Sequence, residues 1–271
     1  MIETKVKFQI EQAINGDRTA VESLVISVQD NVFGLCLKML WNQEDAKEAC
    51  QEILIKMLTH LSQFNFASKF ETWVYKIALN HLLDFKRSAQ KHGGLSFTSF
   101  ETDLMNEQIE PTEEERNSPE FEMQLSEIRL SCTTALLQCL DSELRSAYVL
   151  GEILECDHQE AAEILEISTS AFRKRLERAR KDVELFTVKV CGVLNERASC
   201  QCVRRLSYAK SCGRVDFKNY PFSNGCRANK DALEFIKKID AAKRAAVHYQ
   251  FTSNTKSPVD FRKLLKGVQL I

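Results

Sequence analysis

Five of the ten cysteines fall in one short stretch, spaced Cys191-x8-Cys200-x-Cys202-x9-Cys212-x13-Cys226. Thiolates select Zn, Cu(I) and similar soft ions, so this cluster is a candidate metal or redox centre. The spacing lacks the paired C-x2-C knuckles of structural zinc sites. A metal site, a plain zinc knot, a redox switch and inert thiols therefore all stay open. Lysines and arginines around Cys202 and Cys212 favour thiolate formation. No H-E-x-x-H, H-x-E…C-x-x-C or nucleophile motif accompanies the cysteines, which argues against a metalloenzyme.

A second pattern points to nucleic acid. In DHQEAAEILEISTSAFRKRLERARKDV (157–183), Asp157 and Glu160 have the spacing of a capping box that starts a short helix. Ala161, Ala162, Ile164 and Leu165 give that helix an apolar face, and Ile167 falls in a tight turn. Ser168 or Thr169 can cap the helix that follows. Its inner stripe is Phe172, Leu176, Ala179 and Val183, while Arg173, Lys174, Arg175, Arg178, Arg180 and Lys181 cover much of the rest. This is a helix-turn-helix whose second helix suits a major groove, its cations meeting phosphates and base edges.

A third pattern, FNFASKFETWVYKIALNHLLDFKR (64–87), interleaves Phe64, Phe66, Phe70, Trp73 and Tyr75 with Lys69, Lys76, Lys86 and Arg87. Rings that stack on bases beside cations that meet phosphates suit single-stranded nucleic acid, although helical spacing makes Trp73 a core candidate.

The elements that position these residues are helical. Only nine Gly and four Pro in 271 residues argue against a strand-and-turn architecture. Ala46, Ala49, Cys50, Ile53, Leu54, Met57, Leu58 and Leu61 form one buried stripe opposite a polar face, and Trp73, Ile77 and Leu83 with Val74 and Ala78 form another. Periodicity lapses over 88–126 and returns from about Leu125 to Val190. Cys36, Cys50, Cys132 and Cys139 lie on apolar faces and read as core; so does Cys156, with His158 at the surface. Helices are expected at 230–248 and 259–268. Charge is segregated although its sum is −1: ten acidic residues and one Arg lie between Glu101 and Glu127, and fifteen basic against five acidic between Arg204 and Lys266. The segregation suggests a nucleic-acid face and an acidic connector. No run approaches the roughly 18 consecutive apolar residues of a membrane span, and no signal-peptide core is evident. The expectation is an intracellular, all-α protein. Its parts are helical domains at 1–90 and 126–187, an acidic linker at 91–125, and a cysteine-rich, partly helical extension at 188–271.

In this order the segments resemble the extracytoplasmic-function (group IV) sigma factors of bacterial RNA polymerase. EDAKEACQEILIKMLTHLSQF is similar to region 2.2, FETWVYKIALNHLLDFKR to regions 2.3–2.4, and AYVLGEILECDHQEAAEILEISTSAFRKRLERAR to region 4. The resemblance implies a cytoplasmic transcription initiation factor with no active site and no cofactor needed for promoter recognition. Asp45, Glu48, Gln51 and Glu52 would face the polymerase clamp. Phe64, Asn65, Phe66, Ala67, Ser68 and Lys69 would capture an unstacked base of the −10 element, with Asn80, Asp84 and Arg87 nearby. Ser168, Ser170, Arg173, Lys174, Arg175, Arg178 and Lys181 would read the −35 element, and the acidic linker would thread the polymerase. Partners implied are core RNA polymerase, promoter DNA, and an anti-sigma factor unless the tail self-regulates. The tail resembles the cysteine-rich extensions of some sigma factors, which implies a thiolate-bound Zn or other soft metal held by Cys191, Cys200, Cys202, Cys212 and Cys226. Glu166 stands where the family has Gly, and Phe172 where Val is common. A one-component helix-turn-helix regulator with a metal-binding tail is the alternative; it needs only 125–190.

Overall fold

The computed structural model describes residues 2–89, 95–106, 108–211, 257 and 259–266. The first unit is built around α2 (Arg18–Leu40), whose Leu24, Val25, Val28, Val32, Phe33, Leu35, Cys36 and Met39 are all buried. Its most apolar stretch has a membrane span's length and composition, but it is mostly wrapped by other helices. Asp17 starts α2 by accepting from the Thr19 and Ala20 amides at 2.8 and 3.2 Å. Trp41 ends it in the left-handed conformation (φ 58°), its amide donating to the Leu37 carbonyl at 2.9 Å. Asn42 then caps α3 (Gln43–Thr59), and α1 (Ile2–Ile14) lies against α2.

α3 buries Ala46, Ala49, Cys50, Ile53, Leu54 and Met57 as its stripe predicts. α4 (Phe70–Ala89) is rotated relative to expectation: Phe70, Val74, Ala78, Leu79 and Leu82 are buried, whereas Trp73 and Ile77 only flank the core. The bulk of Trp73 explains this, because its ring lies over Phe64 and Phe70, 5.3 and 5.9 Å away, rather than between helices.

The stretch 91–125 is not a featureless connector. Ser96 and Ser99 form a capping box for α5 (Phe97–Met105), whose Phe97 and Phe100 rings pack on Phe186 at 5.4 and 5.6 Å. Thr112 and Glu115 form another for α6 (Glu113–Arg116). Four helices of the second unit follow: α7 (Phe121–Gln138), α8 (Ser142–Tyr148) with a π turn at Val149–Ile153, α9 (His158–Ile164) and α10 (Thr169–Val190). Leu206 and Ala209 of α11 (Cys202–Ser211) pack on Phe121, Leu125 and Ile128 of α7. The expected last helix is present as α12 (Phe261–Lys266), with Phe261 fully buried against α2 and α3. The helix expected at 230–248 lies outside the described residues. The described residues contain no strand.

One buried core runs through both units, and a buried cation sits at their junction. Arg145 of α8 is 0% exposed. Its Nε donates to the Leu137 carbonyl at 2.7 Å, its Nη1 to the Met39 carbonyl at 2.7 Å and Gln138 Oε1 at 2.6 Å, and its Nη2 to the Gln138 and Leu140 carbonyls at 3.0 and 2.8 Å. Burial lowers its pKa to about 10, so the guanidinium stays charged at neutral pH. Beside it, Gln138 Nε2 donates to the Lys38 carbonyl at 3.0 Å. Arg145→Met orphans these acceptors and is expected to destabilise the protein, at about 1–3 kcal/mol for a buried polar group left unsatisfied. Urea denaturation measures it, and a midpoint within error of wild type would refute the assignment.

Candidate nucleic-acid interface

The turn between α9 and α10 is built by local hydrogen bonds. Asp157 caps α9 through the Gln159 amide at 2.7 Å, and this amide holds the Asp157 carboxyl below its usual pKa. The sequence pairs Glu160 with Asp157, but Glu160 instead accepts from Thr72 of α4. Glu166 is in the left-handed conformation (φ 55°) that Gly adopts freely, and its carboxylate pairs with Lys76 of α4 at 3.0 Å. The Ile167 amide closes the turn on the Ala162 carbonyl at 3.0 Å, and Ser168 caps α10 through the Ala171 amide at 3.2 Å.

α10 buries Phe172, Leu176, Ala179, Val183, Phe186 and Val190. Gly151 lets it sit close, since a Cβ there would lie 2.6 Å from Leu176 Cδ2. The opposite face exposes Ser170, Arg173, Lys174, Arg178 and Lys181. Arg173 Nε donates to His158 Nδ1 at 3.3 Å, which ties the two helices of the motif together. Two expected contributors differ. Arg175 is partly exposed and pairs with Glu143 of α8 at 2.7 Å, because its position flanks Leu176 on the side facing α8. The Ser168 hydroxyl is spent on its cap, with Ser170 Oγ at 3.1 Å.

The loop before α4 makes a second site. Phe64 is buried and forms its floor, edge-on to Phe66 and Phe70 at 4.9 and 5.7 Å, so it is support rather than a presented ring. Phe66 stands out from the loop at φ 60° and is 41% exposed. Asn65 Oδ1 accepts from the Ala67 amide at 3.1 Å, and Ala67, Ser68 and Lys69 are exposed. An open recess of about 580 Å³ lies beside them, walled by Phe64, Phe66 and Phe70 and, from α1, by Val6, Lys7 and Ile10. Lys7 Nζ sits 5.3 Å from the Phe66 ring centre. The contribution of α1 was missed from sequence, where it carries no local motif. Asn80 and Asp84 are exposed one turn apart on α4; the side chain of Arg87 lies outside the described residues.

Asp45, Glu48, Gln51 and Glu52 share the solvent side of α3, opposite its buried stripe. Asp45 also lies in the first turn of α3, where a negative charge suits the helix dipole.

In the extension, Cys191 and Cys200 oppose each other in a backbone bridge, the Gly192 amide donating to the Cys200 carbonyl at 2.8 Å. The chains pass so closely that a Cβ on Gly192 would lie 2.7 Å from that carbonyl oxygen. Cys202 opens α11. Burial, followed by the neighbouring thiols, raises Cys191 to about 11 and Cys200 to about 12, and raises Cys132 of α7 as well. Cys132 packs against the main core, as expected, and also lines a small cavity with Cys200 and Cys202. Cys212 and Cys226 lie outside the described residues. Among the described residues, no three His, Cys, Asp or Glu side chains already form a metal-holding group.

Residues 24–92 match the family Sigma-70 region 2, and residues 130–183 match Sigma-70, region 4; neither match reaches the extension. The RNA polymerase sigma-H factor of Pseudomonas aeruginosa is 28% identical over 181 residues, 65% of this chain and 90% of that protein. The ECF RNA polymerase sigma factor SigW of Bacillus subtilis is 29% identical over 182 residues, 66% of this chain and 95% of that protein. A solved structure of CnrH in complex with the cytosolic domain of CnrY aligns over 65% of this chain and 92% of that chain, at 20% identity and a TM-score of 0.46.

Glu166→Gly removes a left-handed penalty of about 1–2 kcal/mol and loses a half-exposed ion pair worth about 0–1 kcal/mol. A net gain of about 1 kcal/mol, read as a raised urea midpoint, is expected; a lowered midpoint would mean that the Lys76 pair dominates the turn.

Proposed function

This chain belongs to the extracytoplasmic-function sigma factors of bacterial RNA polymerase, and from that premise we propose how its surfaces divide the work of promoter recognition. The observation that carries the reading is the order of its parts: a region 2 unit with a polar α3 face and an aromatic recess, then a region 4 unit with a basic recognition helix. Asp45, Glu48, Gln51 and Glu52 dock on the core enzyme. The recess takes one base extruded from the −10 element, an extrusion that costs a few kcal/mol, with Phe66 offering its ring and Lys7 and Lys69 offering charge to the backbone. Asn80, Asp84 and Arg87 line the DNA path along α4. Ser170, Arg173, Lys174, Arg178 and Lys181 of α10 enter the major groove at the −35 element.

The protein acts in the cytoplasm with core polymerase and promoter DNA, does no bond chemistry of its own, and leaves nucleotide addition to the polymerase. Elements centred at −10 and −35 are about 25 base pairs apart, roughly 85 Å at 3.4 Å per pair. The α4–α9 contacts therefore part when both are read together. The extension, whose α11 holds the linker, regulates that parting and takes the place of a separate anti-sigma factor. A one-component regulator is not favoured, because it leaves the region 2 unit without a task.

Run-off transcription with bacterial core polymerase on a genomic promoter library tests the reading. Promoter-specific transcripts that require this protein are expected. No transcripts from a folded sample that still binds DNA would move the assignment to the one-component regulator. In the same assay Gln51→Lys with Glu52→Lys is expected to abolish binding to core in a pull-down without a change in circular dichroism. Arg173→Ala is expected to weaken −35 recognition by about 1–3 kcal/mol; an unchanged footprint would place the reading helix elsewhere.

A further inference from the structure

Two carboxylates of the second unit lie on the side of α4 along which the −10 strand would run. Lys76, Asn80 and Asp84 succeed one another at four-residue spacing on α4; the last two are exposed and the Lys76 side chain is about half exposed. Thr72 starts the same stripe one turn earlier and is buried where α4 meets α9. Promoter recognition as proposed uses Asn80 and Asp84 but leaves Thr72 and Lys76 without a role. Both are engaged instead from α9 and the turn behind it. The Thr72 hydroxyl donates to the Glu160 carboxylate, and Lys76 Nζ meets Glu166 Oε1 at 3.0 Å. Glu166 holds this position against its backbone preference, since its φ of 55° is the left-handed conformation. The turn is closed by backbone, from the Ile167 amide to the Ala162 carbonyl at 3.0 Å, and does not need the Glu166 side chain. An ion pair with both partners about half exposed returns less than that conformation costs. Stability therefore does not account for a carboxylate here, and strain of this kind gathers where a residue has another role.

We propose that Thr72 and Lys76 extend the single-strand-binding face of α4, and that Glu160 and Glu166 occupy them as phosphate mimics while the two units are docked. A hydroxyl and an ammonium are donors that a nucleic-acid backbone meets with anionic oxygens, and the two carboxylates offer the same oxygens to the same donors. The mask rests on the sigma-factor activity for the identity of the strand, and on the geometry alone for its existence. The Lys76 pair is weak enough for a phosphate to displace and is screened by salt. Both carboxylates belong to the second unit, so parting the units uncovers the whole stripe at once. Until then the chain alone binds single strands less well than the cations of its first unit allow.

Binding of a short single-stranded DNA oligonucleotide to the full-length chain, read by fluorescence anisotropy over a range of salt, tests the mask without polymerase. Glu166→Gln keeps the size of the side chain and removes its charge; it is expected to tighten binding at low salt by up to about fivefold, the ceiling for a surface ion pair. Lys76→Ala is expected to weaken binding and to reduce the slope of log Kd against log salt by about 0.7, the loss of one phosphate contact on a single strand. In the Lys76→Ala background Glu166→Gln is expected to change nothing. A gain of the same size there is a general charge effect and overturns the proposal, as does an unchanged salt slope. Lysine acetylation of the wild-type chain, mapped by mass spectrometry, decides the matter even where a variant fails to fold. The oligonucleotide is expected to protect Lys76, and an unprotected Lys76 overturns the proposal. Run-off transcription by the wild-type chain reports the sigma-factor activity separately. Transcripts without a contribution from Lys76 to strand binding sink the mask alone, whereas a masked Lys76 in a chain that gives no transcripts sinks that activity alone.

Discussion

The junction between the two units is organised around the buried Arg145 guanidinium. A cation taken wholly out of water needs every donor matched, and an Arg fork has five. Among the described residues no carboxylate forms an ion pair with it, although the nearby Asp141 charge favours its charged form. Its acceptors are the carbonyls at the end of α7 and just beyond, the Gln138 amide oxygen, and the last turn of α2 at Met39. Helix C-termini carry partial negative charge, so the ends of α2 and α7 both gain from converging on one cation. The end of α2 must be sharp for this to work, and the left-handed Trp41 makes it so.

The same geometry keeps the units separable. Only the bond to Met39 crosses from α8 to the first unit; the other four stay within the second. Parting the units costs Arg145 one acceptor of five, which water can replace, rather than exposing an unpaired charge. On the far side the contacts are Thr72 with Glu160 and Lys76 with Glu166, the latter half exposed and of small worth. The polar joints between the units are thus few and exposed on the far side, and the shared apolar core supplies most of the contact between them.

Much of this was legible in the sequence because it is local. Caps at Asp157 and Ser168, the stripe of α3, and the basic face of α10 all follow from residues within a few positions of each other. What escaped depends on distance in the chain. The rotation of α4 follows from Trp73 lying over Phe64 and Phe70, and α5 is held by Phe186, far along α10. Lys7 reaches the recess from α1, and Cys132 meets cysteines some sixty residues later only because α11 folds back. Glu166 is the instructive middle case. The sequence shows that Glu disfavours the left-handed turn, yet the turn forms, because Lys76 from another helix takes the carboxylate.

Charge segregation, the bluntest sequence signal, turns out to have two meanings. Among the described residues, two cations of the extension are matched to the acidic linker. Arg204 pairs with Glu110, Arg205 meets Asp103 and the Asn106 carbonyl, and the Ile109 amide donates to the Arg204 carbonyl at 2.9 Å. The Arg205 guanidinium also lies 4.3 Å from the Tyr208 ring centre, and Lys189 of α10 holds Glu101 at 2.6 Å. These cations are committed inside the molecule and say little about DNA. On α10, by contrast, Lys174, Arg178 and Lys181 make no ion pair among the described residues and face solvent together. A net charge of −1 thus conceals cations paired within the molecule and a cationic patch on α10 that carries no ion pair among the described residues. Only the second has counter-charge left to find, and a phosphate backbone supplies it.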